Sequence, residues 1–259
     1  MDKESKYRIN SIQRACQILK CFSLSRPELS LVEISNLTQI PKPTVFRILS
    51  TLEESRFIQR TTDPNKYQIG ILGFELGSVY LGHLSVERIA HPIMDELAVD
   101  YGMSTNLGML DDGKVVYLAT SDPRDVMRYN PIIGYRHFIH CSALGKMLVA
   151  DQTSDNISAM LEKHGMPALS EFSITEKEVF LNQVETVRLK QHAIDDQESA
   201  VGMFCLAVPI RNHEGNVRFA MSISGPKLRF SGDQFDHVLS KMKEGASKIS
   251  EQLGWKSLP

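Results

Sequence analysis

The amino-acid sequence predicts a mixed α+β protein with two domains, a small helical one followed by a larger α/β one. Its 259 residues exceed the usual length of a single domain. Up to Ser55 the apolar residues recur with the 3.6-residue period of amphipathic helices, and after Ser55 the period falls to two. From Ser104 onward, strand-like and helix-like segments alternate, which is the pattern of an α/β domain.

Composition and cysteine spacing exclude several classes of protein. Hydrophobic residues make up 42% of the chain and charged residues 23%, which is ordinary for a globular protein. The longest apolar run, residues 203–210, is far shorter than the roughly 20 residues that a membrane span needs. Residues 1–10 lack the apolar core of a signal peptide, and the four cysteines form no CxxC pair. We therefore expect a cytoplasmic protein without a membrane span, a disulfide framework or a zinc site.

The net charge of −2 conceals an asymmetry along the chain. Residues 1–68 contain 11 Lys and Arg against 7 Asp and Glu, a net charge of +4, and the rest of the chain carries −6. A basic N-terminal domain on an otherwise acidic chain indicates an anionic partner for that domain alone.

The N-terminal domain has the pattern of three helices followed by a β-hairpin. We predict helices over residues 11–24, 30–37 and 43–55, and strands over residues 57–60 and 66–69. Ser30 and Glu33 have the spacing of a capping box at the second helix, and Pro43 suits the first turn of the third helix. A turn rich in Asp, Pro and Asn, residues 61–65, separates the two strands. Three helices and a hairpin in this order predict a winged helix-turn-helix.

The rest of the chain is predicted to form a linker helix and an α/β domain. A further helix is expected to begin at Pro92. Strands are expected at residues 104–110, 115–120, 125–130, 193–196, 203–211 and 217–224, and helices at residues 142–150, 154–164, 175–191 and 231–253. The predicted domain boundaries are residues 8–70 for the winged helix-turn-helix, 71–85 for the linker helix and 86–254 for the C-terminal domain.

The third helix of the N-terminal domain is the candidate DNA-reading element, because the second helix of a helix-turn-helix motif enters the major groove. Arg47 is suited to a bidentate pair with guanine, and Thr44 to a base edge or a phosphate. The predicted DNA-contact residues are Arg14, Ser30, Lys42, Thr44, Val45, Arg47, Arg60 and Lys66. The pattern alone leaves an alternative open, since three helices and a hairpin also build protein-interaction modules and Arg47 can belong to a solvated face.

Segments in both domains resemble the IclR family of bacterial transcription regulators. The similar segments are residues 11–15, 31–34, 41–49 and 67–70 in the N-terminal domain, and 140–146, 195–198, 203–210 and 220–226 in the C-terminal domain. The resemblance extends over about residues 8–254. It implies double-stranded operator DNA as a partner, a GAF-like α/β fold for the C-terminal effector-binding domain, and control of operator affinity by a small metabolite.

Polar residues of the C-terminal domain indicate a site for a small carboxylate, which we expect to be an intermediate of a catabolic pathway. Ser142 is placed to cap a helix, whose free N–H groups then suit an anion. Ser222 and Ser224 alternate on one face of a strand, and Asp195 can accept a hydrogen bond from a ligand hydroxyl. The resemblance implies that the effector pocket is lined by Ala143, Leu144, Asp195, Met203, Cys205, Ser222 and Ser224.

Two positions depart from the family pattern, and both concern the ligand. Leu144 stands where the family can have a smaller residue, which alters the shape of the pocket. Gln197 replaces an acidic residue that often follows the paired Asp195 and Asp196, which makes the mouth of the pocket less negative. The sequence therefore indicates a site without identifying its ligand.

An enzyme is the main alternative that the residue types allow. Cys205, His140 and Asp195 could act as nucleophile, base and orienting group. Against this, no nucleophile-elbow motif occurs, and Cys205 lies in an apolar strand, which raises the pKa of a thiol. The eight histidines show neither HxH nor HxxxH spacing, so no metal site is expected. A third alternative, a C-terminal domain that only dimerises, leaves its polar groups unexplained. We expect a regulator that is not an enzyme and needs no cofactor.

The apolar linker helix also predicts self-association. A homodimer through the N-terminal domain and the linker matches the two-fold symmetry of a palindromic operator. The C-terminal domains would then pair dimers into tetramers. We therefore expect a homodimer or a dimer of dimers.

Overall fold

The computed structural model describes residues 9–23, 25–83, 85–123, 133–230 and 232–256. The chain divides into two units, Met1–His83 and Leu84–Pro259. The first is mainly helical, and the second is built on one six-stranded sheet. The predicted α+β class, a winged helix-turn-helix and an α/β domain, is confirmed. Within the described ranges, no helix is both long enough and apolar enough to cross a membrane.

Three helices, a small sheet and a final helix form the N-terminal unit. In chain order they are α1 (Asn10–Leu19), β1 (Glu28–Ser30), α2 (Leu31–Thr38), α3 (Lys42–Glu54), β2 (Ile58–Arg60), β3 (Lys66–Ile69) and α4 (Ile71–His83). The sheet is antiparallel with the strand order β1-β3-β2. The predicted helices and hairpin are confirmed, except that α1 ends at Leu19 and not at residue 24, and Ser23 instead pairs with Arg26 in a short β-bridge. The sequence pattern does not reveal β1, because three residues are too few to display a two-residue period.

Capping residues fix where α2 and α3 begin. The Ser30 hydroxyl accepts a hydrogen bond from the Glu33 N–H at 3.3 Å, and the Glu33 carboxylate accepts one from the Ser30 N–H at 2.7 Å. α3 starts directly after Pro41, with Pro43 in its first turn. The core beneath these helices contains Ile18, Ile34, Val45, Leu49, Ile58 and Tyr67.

The C-terminal unit is a six-stranded antiparallel sheet with helices on both faces. In chain order its elements are α5 (Ser85–Tyr101), β4 (Ser104–Asp111), β5 (Lys114–Ser121), β6 (Arg136–Phe138), α6 (Ala143–Leu148), α7 (Ser154–His164), α8 (Lys177–Lys190), β7 (Ala193–Asp196), β8 (Met203–Arg211), β9 (Val217–Pro226), a 3-10 turn (Lys227–Phe230) and α9 (Asp233–Gln252). The strand order is β6-β5-β4-β9-β8-β7.

The two faces of this sheet have different partners, because successive residues of a strand point to opposite sides. On one face, Leu206, Val208 and Met221 pack into a core shared with α5 and α9. On the other face, Ala207 and Ala220 pack into a second core shared with α6, α7 and α8. The small side chains on this second face allow α6 to lie close to the middle of the sheet.

The predicted helix start at Pro92 is wrong. α5 begins at Ser85, and Pro92 lies inside it. Proline lacks the N–H that would bond the carbonyl four residues earlier, so it normally limits a helix. Here Val86, Ala90 and Met94 are buried at four-residue intervals against the sheet, and their packing keeps the helix continuous across the proline.

The remaining predicted elements of this domain are confirmed, apart from one strand. The predicted strand at residues 125–130 lies outside the described residues, and the described strand β6 (Arg136–Phe138) was not expected from the pattern. The turn predicted between β4 and β5 is present, with Asp112 and Gly113 at positive φ values of 49° and 75°. Such angles favour the Asp-Gly pair found there.

Candidate DNA-binding surface and small-molecule site

Three of the predicted DNA-contact residues line one surface groove. The groove has a volume of about 620 Å³ and runs between α1 and α3. Arg14, Thr44 and Arg47 lie on its walls, together with Ser11 and Thr51. Two guanidinium groups and several hydroxyls supply hydrogen-bond donors suited to phosphates and to the acceptor edges of bases. The structure therefore brings the two arginines of α1 and α3 together on one surface groove, whose floor also includes apolar side chains.

The other basic residues of the predicted set lie at the start of α3 and on the wing. Lys42 is exposed at the first position of α3, and Lys66 begins β3. The Arg60 guanidinium lies over the Tyr67 ring at 4.7 Å, and its Nε is 3.3 Å from a Glu53 carboxylate oxygen. Arg60 is therefore positioned by the wing itself, and Glu53 offsets part of its charge.

Two members of the predicted set do not fit a contact with DNA. Val45 is fully buried in the core of the N-terminal unit, so it has no surface to offer a base. The Ser30 hydroxyl is engaged with Glu33, whose pKa is lowered chiefly by the bond from the Ser30 N–H. Because an ionised carboxylate stands beside that hydroxyl, a phosphate would be repelled there. Val45 stabilises the core of the domain and Ser30 caps α2, and neither belongs to the surface proposed to contact DNA.

Among the groove residues that sequence reasoning missed, Ser11 and Thr51 carry hydroxyl groups. Thr51 follows Arg47 by four positions, which places both side chains on the same face of α3. That spacing is a signal that could have identified Thr51. Ser11 has no such signal, because its place opposite α3 depends on how α1 packs.

In the C-terminal unit, α6 presents its first turn to the polar face of the sheet. Ser142 caps this helix as predicted, since its hydroxyl accepts a hydrogen bond from the Gly145 N–H at 3.0 Å. A Cβ on Gly145 would lie 2.4 Å from the Ile139 Cα, so only glycine permits this close approach. Ala143 and Leu144, both predicted to line the pocket, are buried in this turn.

The register of the sheet aligns most of the remaining predicted pocket residues. Asp195 on β7 lies opposite Cys205 on β8, which in turn lies opposite Ser224 on β9. Ser222 is two residues from Ser224 and therefore on the same face, and Met203 has the same relation to Cys205. This is the face that packs against α6. Residues from four elements, α6, β7, β8 and β9, are thus brought to one face of the sheet.

Asp195 is engaged within its own turn. One carboxylate oxygen accepts hydrogen bonds from the Glu198 N–H at 2.7 Å and the Ser199 N–H at 3.3 Å, and the other accepts one from the Ser199 hydroxyl at 2.6 Å. Burial raises the pKa of Asp195, and these three bonds oppose the rise. The carboxylate therefore holds the turn after β7 and keeps a limited capacity toward a ligand.

The catalytic alternative finds no support in this geometry. Burial raises the pKa of the Cys205 thiol well above its ordinary value, and the charge of Asp195 raises it further. His140, the candidate base, is fully buried with its Nε2 3.1 Å from the Pro167 carbonyl oxygen. Throughout the described part of the chain, no three His, Cys, Asp or Glu side chains are grouped as a metal site requires.

Two polar features of this region were not singled out by sequence reasoning. Asn106, on β4, is buried on the face that carries Ser222 and Ser224. Lys146 of α6 and Glu198 form an ion pair of 2.5 Å, with side chains only 1% and 8% exposed. The signal for Lys146 was a lone cation in the otherwise apolar run ALGKML, whereas Asn106 became recognisable only through the register of β4 with β9.

A winged helix-turn-helix joined to an α/β domain with a buried polar face defines the class of two-domain, DNA-binding transcription regulators. Residues 11–62 match the IclR helix-turn-helix domain, and residues 78–251 match the C-terminal domain of the bacterial transcriptional regulator IclR. The chain therefore belongs to the IclR family of bacterial transcription regulators. The proteins that define this family are regulators and not enzymes.

Relatives and solved structures agree with this assignment. The chain is 30% identical to the HTH-type transcriptional regulator KdgR of Escherichia coli (strain K12), over 97% of this chain and 95% of that protein. It is similar to the IclR transcriptional regulator of Alicyclobacillus acidocaldarius, with a TM-score of 0.83 and 25% identity over 96% of this chain and all of that one. An IclR homologue of Microbacterium hydrocarbonoxydans, complexed with 4-hydroxybenzoate, shares the fold, with a TM-score of 0.80 and 21% identity over 94% and 98% of the two chains.

Proposed function

We propose that the C-terminal domain of this transcription regulator binds a small carboxylate on the buried polar face beneath α6, and that this binding controls the affinity of the N-terminal domain for its operator. The observation that carries the proposal is the alignment of Asp195, Cys205 and Ser224 across three neighbouring strands, with Ser222 beside them. The ligand is a metabolite of a catabolic pathway.

The physical argument rests on the difference between the two faces of one sheet. Leu206, Met221 and Ile223 make one face an ordinary apolar core. Burying hydroxyls and a carboxylate on the opposite face costs free energy unless they have partners. Asp195 and Ser224 have partners within the protein, and a ligand with several oxygen atoms would add acceptors for the serine hydroxyls, which bind a carboxylate as donors. The complex of a homologue with 4-hydroxybenzoate supports the same class of ligand.

A thermal-shift screen of small carboxylates tests the proposal. A carboxylate present at 100 times its Kd should stabilise the wild-type protein by about 2.7 kcal/mol. The double variant Ser222→Ala/Ser224→Ala should lose that shift, because both donors to the ligand are gone. The same hit should release the protein from operator DNA in a mobility-shift assay.

A buried serine away from the polar face provides the matched control. Ser250 on α9 is buried, and its hydroxyl donates to the Ala246 carbonyl at 2.7 Å. Ser250→Ala should lower the melting temperature while leaving the ligand-induced shift intact. A shift that survives in Ser222→Ala/Ser224→Ala would place the ligand elsewhere and refute the proposed site.

We also propose that the protein acts in the cytoplasm, where its DNA partner is, as a homodimer or a dimer of dimers on a palindromic operator. The proposed domains are residues 8–70, 71–85 and 86–254. In support, α4 exposes Phe74, Leu76 and Val79, apolar side chains that would be covered by a second copy of the chain. The groove residues Arg14, Thr44 and Arg47 would contact DNA together with Lys42 at the start of α3, with Arg60 and Lys66 on the flanking phosphates.

A further inference from the structure

A chain of polar side chains crosses five strands of the C-terminal sheet. The Thr120 hydroxyl on β5 donates to the Asn106 Oδ1 on β4 at 3.1 Å, and the Asn106 Nδ2 donates to the Ser224 hydroxyl on β9 at 3.4 Å. Ser224 lies opposite Cys205 on β8, and Cys205 lies opposite Asp195 on β7. All five side chains are therefore on the face that packs against α6.

The Asp195 carboxylate lies at one end of this row of side chains and fixes the donor-to-acceptor direction of the hydrogen bonds along it. Asp195 accepts from two backbone N–H groups, which can only donate, so it acts as an acceptor. The buried thiol of Cys205 stays protonated and donates toward Asp195, which leaves its sulfur to accept from Ser224. Ser224 in turn accepts from Asn106. Every hydroxyl proton in the chain thus points toward β7, and the Ser224 proton rests on the Cys205 sulfur, a weak acceptor from which the oxygen of the proposed ligand would take it.

We propose that Asn106 is a positioning residue of the effector site, which, held by Thr120, fixes Ser224 as a hydrogen-bond donor and so selects a ligand with an acceptor oxygen at that point. The inference rests on the proposed function and names the chemistry of the same site. A carboxylate or ketone oxygen takes the Ser224 proton. An amide NH₂ presented at the same point meets a second donor and is rejected.

Thr120 has a defined part in this selection. A side-chain amide can turn by 180° and exchange its oxygen and nitrogen. The Thr120 hydroxyl bonds the oxygen end, so the NH₂ end faces Ser224. Because a hydroxyl can bond either end of an amide, Thr120 holds the Asn106 side chain in place, and the Cys205 sulfur on the far side of Ser224 sets the direction. Without the Thr120 hydroxyl the amide is held less firmly and can turn its oxygen to Ser224, whose proton would then no longer reach the ligand.

Calorimetry with matched pairs of carboxylates and amides tests the inference. The probes are acetate and acetamide, lactate and lactamide, and 4-hydroxybenzoate and 4-hydroxybenzamide. The wild-type protein should bind the best carboxylate at least about tenfold more tightly than its amide, since one hydrogen bond and one clash of donors separate them. Thr120→Val, which keeps the shape of the side chain, should reduce that ratio about threefold to tenfold.

A second variant, Asn106→Asp, offers Ser224 only acceptor oxygens, whichever way its side chain is turned. Asn106→Asp removes the donor and adds a negative charge, so carboxylate binding should fall by at least about 100-fold while amide binding falls less. The preference for the carboxylate should therefore disappear or invert. A merely structural role would weaken both members of each pair in proportion, which is why the ratio is the informative quantity.

Thr105→Val is the matched control, because it is the same change as Thr120→Val, on the strand that carries Asn106 but on the opposite face of the sheet. The Thr105 hydroxyl is buried and donates to the Met94 carbonyl at 3.0 Å. Its loss should lower stability and leave the carboxylate-to-amide ratio unchanged. An unchanged ratio in both Thr120→Val and Asn106→Asp overturns the positioning role while the proposed function stands. Wild-type protein that binds none of the carboxylates refutes the proposed function itself, and the positioning role falls with it.

Discussion

Arg47 and Lys66 are expected to differ in what each contributes to DNA binding. Arg47 lies in the groove between α1 and α3, where its fork of donors can pair with a guanine edge. Lys66 begins the strand β3 of the wing, and its single ammonium suits a phosphate. The first type of contact carries sequence information, and the second carries only charge.

We predict that Arg47→Ala abolishes the preference for the cognate operator, at a cost of about 1–3 kcal/mol on that site. Lys66→Ala should weaken cognate and random DNA equally and lower the salt slope by about 1. Fluorescence anisotropy with both DNAs over a range of salt concentrations measures the two effects. An Arg47→Ala protein that keeps its full specificity ratio would remove Arg47 from base recognition.

The buried ion pair between Lys146 and Glu198 is expected to affect the free energy of unfolding, and three proteins measure its contribution. The Lys146 ammonium lies 2.5 Å from Glu198 and 2.8 Å from the Ile194 carbonyl oxygen. Lys146→Met removes the charge that compensates the buried Glu198 carboxylate, so at pH 8, where Glu198 is ionised, it should destabilise the fold by about 3–5 kcal/mol. Lys146→Met/Glu198→Leu removes both charges and should recover most of that loss. Urea unfolding at pH 8 compares the wild-type protein with the two variants, and a double variant as unstable as Lys146→Met would contradict this account.

The same pair predicts a dependence of stability on pH. Burial raises the pKa of Glu198 from 4.5 to about 7, although Lys146 opposes the rise. The folded state therefore holds this proton more tightly than the unfolded chain, so the contribution of Glu198 is fully present below pH 4.5 and is lost as the pH rises through 7. Relative to Lys146→Met/Glu198→Leu, the wild-type protein should lose stability between pH 5 and pH 8. If the free energies of unfolding of the two proteins change in parallel across that range, the raised pKa of Glu198 is contradicted.

At the scale of helices and strands, sequence signals succeed where they are local. The capping box of Ser30 and Glu33 and the cap of Ser142 predict helix starts because their hydrogen bonds span only three residues. The predicted helix start at Pro92 is wrong because it, too, rests on a local signal. The local effect of proline is to end or begin a helix, and only the burial of Ala90 and Met94 against the sheet, a tertiary fact, keeps α5 continuous.

Pro92 therefore offers a direct measure of local strain in α5. Pro92→Ala restores an N–H for the Arg88 carbonyl in the interior of a helix, and Pro92 is exposed, so no packing is lost. We predict that it stabilises the protein by about 1–3 kcal/mol. Pro43→Ala, in the first turn of α3 where that N–H has no helical acceptor, should change stability by less than about 0.5 kcal/mol. Thermal unfolding that ranks the two variants equally would contradict this explanation.

At the scale of the whole molecule, the candidate site depends on the order of the strands. The residue types and the resemblance identify Asp195, Cys205, Ser222 and Ser224, each within its own segment of the sequence, but do not say that these side chains are neighbours. Their alignment follows from β4, β9, β8 and β7 lying side by side, although β4 is far from the others in sequence. Asn106 could not be predicted, because its strand precedes β9 by about a hundred residues and no local pattern encodes that pairing.

The exposed surface of α4 carries the last prediction, on assembly. Phe74 is 71% exposed and Val79 59%, and both lie on a helix with few polar side chains to face water. A dimer holds two DNA-reading helices on one particle, so the second DNA contact is made at high effective concentration. Phe74→Ser/Val79→Ser should therefore sediment as a monomer at micromolar concentration and lose at least about 100-fold in operator affinity. Leu189→Ser, which changes a still more exposed apolar residue on α8, should leave the dimer intact. A wild-type monomer with undiminished operator affinity would refute the dimer and, with it, the palindromic operator.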